Sequence, residues 1–270
     1  MSSKRAKNRR PVISLLTDFG TKDWFTGAMK GVILGLVPEA QIVDISHDVP
    51  PQDVAGAAFI LNACHRDFPE GTVFCCVVDP EVGTARRRIA ATDGVYYYVA
   101  PDNGLLSGIE SRAETFLAYS IENKDLFHKG QGATFEGRDV FAPAAAALAI
   151  RKPLDEFGPL CEDFRRLEFH EPVLNDSGVL HGRVAYTDRF GNLVTNITLE
   201  DIPEGIGALT IQVQNTRIPE ISRCYDCVRN GIFVAYWGSA GYLEIAMNRG
   251  NAAETLSAKP GTEVTIHSIT

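Results

Sequence analysis

Between residues 11 and 160, short apolar runs alternate with longer segments of helical spacing. "VISLLT" reads as a buried strand, and "DWFTGAMKGVILGLV" carries apolar residues at helical intervals until Pro38 stops it. "QIVDIS" is the next strand. The double proline of "PPQDVAGAAFILNACHRDF" opens a second helix, and "TVFCCVVD" is an apolar strand ending on Asp79. A β-α-β-α-β order predicts a parallel sheet covered on both faces, because parallel neighbours need crossovers and the crossovers lie on those faces. Ligands of such sheets bind at the carboxyl ends of the strands. Further on, "RIAATDGVYYYVAPDNGLL" reads as a hairpin turning at Asp93-Gly94, and "GRDVFAPAAAALAI" as an Ala-rich helix.

After about residue 170 the texture changes. "GVLHGRVAYTDRFGNLVTNI", "ALTIQVQN", "TRIPEIS", "GIFVAYWG", "YLEIAMN" and "TEVTIHSI" are short alternating runs separated by turn residues, the pattern of a small β barrel or sandwich. The predicted organisation is a basic leader over 1–10, an α/β domain with a mostly parallel sheet over 11–170, and a smaller all-β domain over 171–270. The leader, "MSSKRAKNRR", holds five cations and no acid, which leaves −13 on the remainder of a chain whose net charge is −8. An acidic body argues against nucleic acid as a partner. The leader reads as a solvated disordered tail, with a nucleic-acid arm or a targeting signal as the alternatives. No apolar stretch reaches the length of a membrane span and no signal peptide follows the leader, so the expected location is the cytoplasm. Cys64, Cys75 and Cys76 sit in apolar surroundings and are expected to be reduced. Cys224 and Cys227 form a lone CxxC, a weak signal for zinc or redox chemistry without a second pair or a histidine partner.

The three strands of the first half end alike. Asp18 follows "ISLLT", Asp48 follows "VDISH" and Asp79 follows "CCVV". One such acid could simply cap a helix or favour a turn. Three on adjacent strand ends converge on one crevice. Arg86, in "DPEVGTARRR", can fold back on Asp79, keep it charged and so let it orient a water or accept its proton. "ATFEGRDVFAP" sets Glu136, Arg138 and Asp139 before the Ala-rich helix, where Arg138 and Asp139 could form a local ion pair. In "YTDRFGNLVTNI", Asp188, Phe190 and Asn192 surround Gly191. The aromatic face and the amide suit a purine, although a plain hairpin turn has the same composition. Ser239, between glycines, stands where backbone N–H groups could hold a carboxylate.

In order along both predicted domains, "TDFGTKD", "DISHDVPPQDV", "FPEGTVFCCVVDPEVGT", "PDNGLL", "TFEGRDVFAPAAA", "DRFGNLVTNI" and "GSAGYLEIAMNRGNAAE" resemble the S-adenosyl-L-methionine hydroxide adenosyltransferases, relatives of the 5′-fluorinase and chlorinase enzymes. The resemblance implies a homotrimer whose active site lies between one subunit's N-terminal domain and its neighbour's C-terminal domain. It implies S-adenosyl-L-methionine as substrate, with no cofactor and no metal. Hydroxide attacks the ribose 5′-carbon, giving adenosine and L-methionine. On this pattern Asp18 takes the ribose hydroxyls, Asp23 and Asp188 face the ammonium of the methionine part, and Ser239 binds its carboxylate. Phe135 and Phe190 contact the adenosine, and Asn192 meets the adenine edge.

Three positions depart from, or divide, the family pattern. Gln52 stands where the fluorinase has a tryptophan over the sugar. Asp79 stands where the halogenating relatives have a tyrosine, and a carboxylate there repels halide, so Asp79 and Arg86 match the hydrolytic branch. Glu136 stands where that branch has a histidine, completing an Asp–Arg–His set. A glutamate could act as base in its place, with Asp79 nearby favouring the protonated form, and Glu136→His is then expected to preserve or raise turnover. His47 and His128 read as surface or structural residues. The alternatives are a halide-using 5′-adenosyltransferase and a non-catalytic protein that binds adenosine or S-adenosylmethionine.

Overall fold

Fully apolar strands flanked by helices need cover on two sides, and the first half of the chain is built that way. The computed structural model describes residues 10–129, 135–203 and 209–268. It divides into two compact units, one ending at Leu167 and one beginning at Glu168. Most of the basic leader lies outside the described residues.

The first unit contains a six-stranded sheet. Its strands are β1 (Val12–Thr17), β2 (Gln41–Ser46), β3 (Val73–Val77), β4 (Arg88–Thr92), β5 (Tyr97–Pro101) and β6 (Leu117–Ser120), in the order β2-β1-β3-β5-β4-β6. The pairs β1–β2, β1–β3 and β3–β5 are parallel, whereas β4 runs antiparallel to both its neighbours. The sheet is therefore mostly parallel, as expected. The hairpin expected at Asp93-Gly94 joins β4 to β5, with Thr92 opposite Tyr97.

Side-chain alternation splits the core in two. Ile13, Leu15, Val73 and Cys75 pack with α1 (Phe25–Leu36) and the Ala-rich helix on one face. Leu16, Phe74, Cys76 and Tyr98 face the other way, with Leu61 of α2 (Val54–Cys64). Asp53 caps α2 by accepting from the Gly56 N–H at 2.9 Å.

The Ala-rich segment differs from the single helix expected. It opens as a π-helical turn, Gly137–Phe141, and becomes an α-helix only over Ala142–Ala149 (α4, following a short α3 at Ser107–Glu110). Pro143 explains part of this. It has no N–H to return to the Asp139 carbonyl, and that carbonyl accepts from the His128 N–H at 2.9 Å instead. All eight α4 residues are buried, and their small side chains let the helix lie close against the sheet.

The described residues of the second unit are mainly strand, with a short α-helix, α5 (Ala252–Leu256), and single 3-10 turns at Leu199–Asp201 and Tyr225–Cys227. Its strands are β7 (Val173–Leu174), β8 (Leu180–Thr187), β9 (Leu193–Thr198), β10 (Leu209–Val213), β11 (Thr216–Ile218), β12 (Ile221–Ser222), β13 (Phe233–Trp237), β14 (Tyr242–Met247) and β15 (Glu263–Ser268). They run β11-β10-β15-β8-β9-β14-β13-β12, with β7 beside β8. The ends of the path come back together, β11 near β13 and β10 near β12, so the sheet curls almost into a barrel. "TRIPEIS" is two strands rather than one, broken at Pro219-Glu220. Among the described residues no helix is long and apolar enough to cross a membrane.

Candidate active site

The strand order β2-β1-β3 sets the three acid-bearing strand ends side by side. The chain tightens at this edge. Gly20, at φ 67°, donates its N–H to the His47 carbonyl at 2.7 Å, joining the ends of β1 and β2. His47 is buried and its Nδ1 lies 2.8 Å from Thr17 Oγ1, a structural joint between the strands. His128 is exposed.

Asp18 leads out of β1 and accepts from the Gln52 N–H at 2.8 Å through Oδ2. That bond pins the start of α2 to the end of β1 and leaves Oδ1 with both its lone pairs for other donors. Asp23 and Asp48 are exposed.

Beyond β1 and β3 lies a cavity of about 200 Å³. Phe19, Phe25 and Phe135 form its aromatic wall, with ring centroids 5.1–5.9 Å apart. Asp79 and Glu136 line it too. Gly137 packs tightly here: a Cβ would stand 3.0 Å from the Phe135 ring and 3.1 Å from that of Phe19, closer than ordinary contact. Phe19 and Phe25 were absent from the sequence-based site, although both lie in or beside "TDFGTKD".

Asp79, Arg86 and Glu136 are brought together, their side chains only 4%, 1% and 6% exposed. Arg86 Nε donates to both oxygens of Asp79, at 2.9 and 3.0 Å, and a terminal nitrogen of the same guanidinium reaches Asp79 and Glu136 at once. The Glu81 N–H also donates to Asp79 Oδ1, at 3.1 Å. The Arg86 guanidinium lies over the Phe141 ring, 5.4 Å from its centroid. Burial by itself would lower the Arg86 pKa, but the hydrogen bonds and charge of Asp79, followed by those of Glu136, outweigh it and hold Arg86 above its ordinary value.

Asp79 and Glu136 are thus neighbours, bridged by one guanidinium nitrogen. The Arg86 guanidinium lies between the two carboxylates. A residue not picked out from the sequence also appears: Arg88, whose Nε donates to Glu136 Oε1 at 2.9 Å. Arg87 turns the other way, to Asp102 at 2.9 Å and Asp163 at 2.6 Å. Alternation at the start of β4 was the available signal, since it sends residues 86 and 88 to one side and 87 to the other. Arg138 and Asp139 form their ion pair locally, at 2.7 and 2.9 Å, as read from the sequence. Arg138 also covers the Phe135 ring at 5.3 Å.

In the second unit, Asp188 organises the turn from β8 to β9. Its Oδ1 accepts the N–H groups of Phe190 and Asn192 at 2.9 and 2.8 Å, and its Oδ2 accepts from the Asn192 side chain at 2.8 Å. The side-chain carbonyl of Asn192 can still accept. Phe190 is 76% exposed at the tip of this turn, and Ser239 is exposed on the turn from β13 to β14. Glu244 lies under the β13–β14 turn. It packs so closely under Gly238 that a Cβ there would collide with its carboxylate. Burial first, and then the charge of Asp188, raises its pKa against the Tyr236 O–H bond that lowers it. A lone acid in the otherwise apolar strand "YLEIAM" was the signal for this residue.

Two family models match the chain: SAM hydroxide adenosyltransferase N-terminal domain over residues 13–158 and the C-terminal domain of the same family over 182–265. The (R)-S-adenosyl-L-methionine hydrolase of Thermus thermophilus is 41% identical over 264 residues, covering 94% of this chain and 98% of the relative. A fluorinase from an Actinoplanes species is 32% identical, covering 96% and 98%. The crystal structure of a conserved protein from Thermotoga maritima superposes with a TM-score of 0.86 at 37% identity, over 94% of this chain and 99% of that one. Both units are thus accounted for, and the chain belongs to the SAM hydroxide adenosyltransferase family.

Proposed function

We propose that the protein is an S-adenosyl-L-methionine hydrolase that releases adenosine and L-methionine. The observation carrying this reading is the Asp79–Arg86–Glu136 assembly on the wall of a cavity at the strand ends. Fluorinases lie in the same family, so membership leaves the nucleophile open. Acceptor side chains on the cavity wall suit a water, which has protons to donate to them, and a halide has none.

The substrate needs little acid catalysis. Its sulfonium leaves as a neutral thioether, so no proton must reach the leaving group. The water oxygen bonds to C5′, the C5′–S bond breaks with its electron pair going to sulfur, and the water's proton passes to Asp79 and on to solvent. Arg86, with the Glu81 N–H, holds Asp79 side-on and fixes its carboxylate at the cavity wall, where that water would bind. Asp18 would take the ribose hydroxyls, Phe135 would stack on the nucleoside, and Asp23 would meet the ammonium. From the second unit Asp188 also serves the ammonium, Ser239 the carboxylate, and Phe190 and Asn192 the adenine. The reaction as written calls for no cofactor and no metal.

The same reading makes the protein a cytoplasmic homotrimer with the site completed by a second copy. Exposed Trp24, Leu34, Leu36 and Val43 on the first unit support association. The free thiols at all six cysteines fit a reducing compartment.

The test is incubation of purified protein with S-adenosyl-L-methionine in halide-free buffer, followed by chromatography for adenosine and methionine. Release of both in equal amounts supports hydrolysis. Product only with added halide would turn the assignment to a halogenating transferase. Tight binding without methionine release would leave a binding protein.

A further inference from the structure

Glu136 brings a second negative charge into a pocket where Arg86 alone cannot balance two carboxylates. Asp79 and Glu136 are nearly inaccessible to water, and a buried carboxylate is tolerated only when paired and hydrogen-bonded. Arg86 is shared between both acids. The second cation is Arg88, which meets Glu136 Oε1 through Nε at 2.9 Å and through a terminal nitrogen. Its side chain is 30% exposed, so it approaches from the rim. Arg87 is committed to Asp102 and Asp163 and cannot take this place.

We propose that Arg88 is a positioning residue for the hydrolytic reaction, acting through Glu136 as the counter-charge that lets an acid, rather than a neutral side chain, hold Arg86 in place. This rests on the hydrolase reading above. The order is Asp79–Arg86–Glu136–Arg88, alternating in sign and neutral in sum. Each oxygen of Glu136 is engaged by a guanidinium, Oε2 by Arg86 and Oε1 by Arg88. So held, Glu136 anchors the far side of the Arg86 fork, while proton transfer stays with Asp79 as in the reading above. The fork matters as well as the charge, since Arg88 approaches one oxygen with two N–H groups and a lysine ammonium cannot reproduce that geometry.

The pairing also revises the expectation for Glu136→His. Removing the acid alone strands Arg88 beside Arg86, so histidine lowers turnover unless Arg88 is neutralised with it.

The experiment is a double-mutant cycle with R88A, E136Q and R88A/E136Q, read by steady-state kinetics and by thermal unfolding, with R88K alongside. R88A is expected to lose roughly tenfold in kcat with KM for S-adenosyl-L-methionine within about twofold. R88K recovers part of the loss. R88A/E136Q recovers most of it, because the carbonyl of the introduced amide still accepts from Arg86 and no charge is stranded. In unfolding, R88A/E136Q melts above R88A. That arm needs no turnover, so it tests the counter-charge even if the wild type releases no adenosine, an outcome that would count against the hydrolase reading instead. A double variant slower than R88A, which would make Glu136 the proton acceptor, overturns the proposal. Strictly additive changes in melting temperature overturn it too.

Discussion

Asp79→Asn is the substitution whose consequences the structure states most fully. The wild-type carboxylate accepts three hydrogen bonds from the Arg86 guanidinium and one from the Glu81 N–H, in a side chain only 4% exposed. Asparagine keeps one acceptor oxygen and turns an NH2 toward a guanidinium that can only donate. Breaking a buried pair by removing one partner costs about 3–5 kcal/mol. Glu136 stays as a partner for Arg86, so the lower end, about 3 kcal/mol, applies. For a domain of this size that is a fall of roughly 6–12 °C in melting temperature. Loss of the group that takes the water's proton costs a further factor of about 10²–10⁴ in kcat, or about 3–5 kcal/mol of transition-state stabilisation. KM should move by no more than about threefold, because no ground-state contact to the substrate is removed. The assay is adenosine release under saturating and sub-saturating S-adenosyl-L-methionine, with circular dichroism confirming that the variant is folded at the assay temperature. A folded Asp79→Asn protein with kcat within about threefold of wild type would refute the assignment of proton transfer to Asp79.

Other expectations follow from groups away from that centre. Burial, then the charge of Asp188, raises the Glu244 pKa above its usual 4.5. The folded state therefore holds the proton to higher pH than the unfolded chain, and the stability from this group is full below 4.5 and lost as pH rises through the folded value. Glu244→Gln should accordingly gain in melting temperature relative to wild type between pH 4 and pH 7, and a gap that stays constant or moves the other way refutes this. An aromatic disulfide reagent should label Cys224 and Cys227 first. Both are exposed, their sulfurs are 3.2 Å apart, and hydrogen bonding from Cys224 lowers the Cys227 thiol. Burial pushes Cys64 up to about 11 and Cys75 up to about 12, and raises Cys76 and Cys161 as well, so these four should react only on unfolding. Gly137→Ala should destabilise by about 1–3 kcal/mol and raise KM, since its methyl meets two cavity rings at 3.0 and 3.1 Å; unchanged stability and KM would mean that the wall yields freely.

The parts of the fold that were legible are those where one physical signal dominates. "VISLLT", "QIVDIS" and "TVFCCVV" announced parallel strands, and the acids after them fell at one sheet edge because the strands themselves are neighbours. Asp79 and Arg86 could be paired because the loop between them is short and both are needed to bury either. Arg88 escaped notice inside a run of three arginines whose side chains separate only once strand alternation is applied. Glu136 was grouped with Asp79 and Arg86 by motif, but its pairing with Arg88 was not read, because a contact across 48 residues leaves no trace in spacing. The π-helical turn was missed because Pro143 reads equally well as a helix opener, and Glu244 because one acid in an apolar strand ordinarily means a solvent-facing position. The sixth strand, "LAYS", is too short and too mixed in character to be seen by pattern.

The central claim is that water attacks C5′ of S-adenosyl-L-methionine. The direct measurement is mass spectrometry of the adenosine formed by the protein in ¹⁸O-enriched water. The account predicts one ¹⁸O atom per adenosine, retained in the 5′-hydroxymethyl fragment, with methionine unlabelled. Adenosine without the label, or label in the methionine carboxylate and not on the sugar, would contradict it.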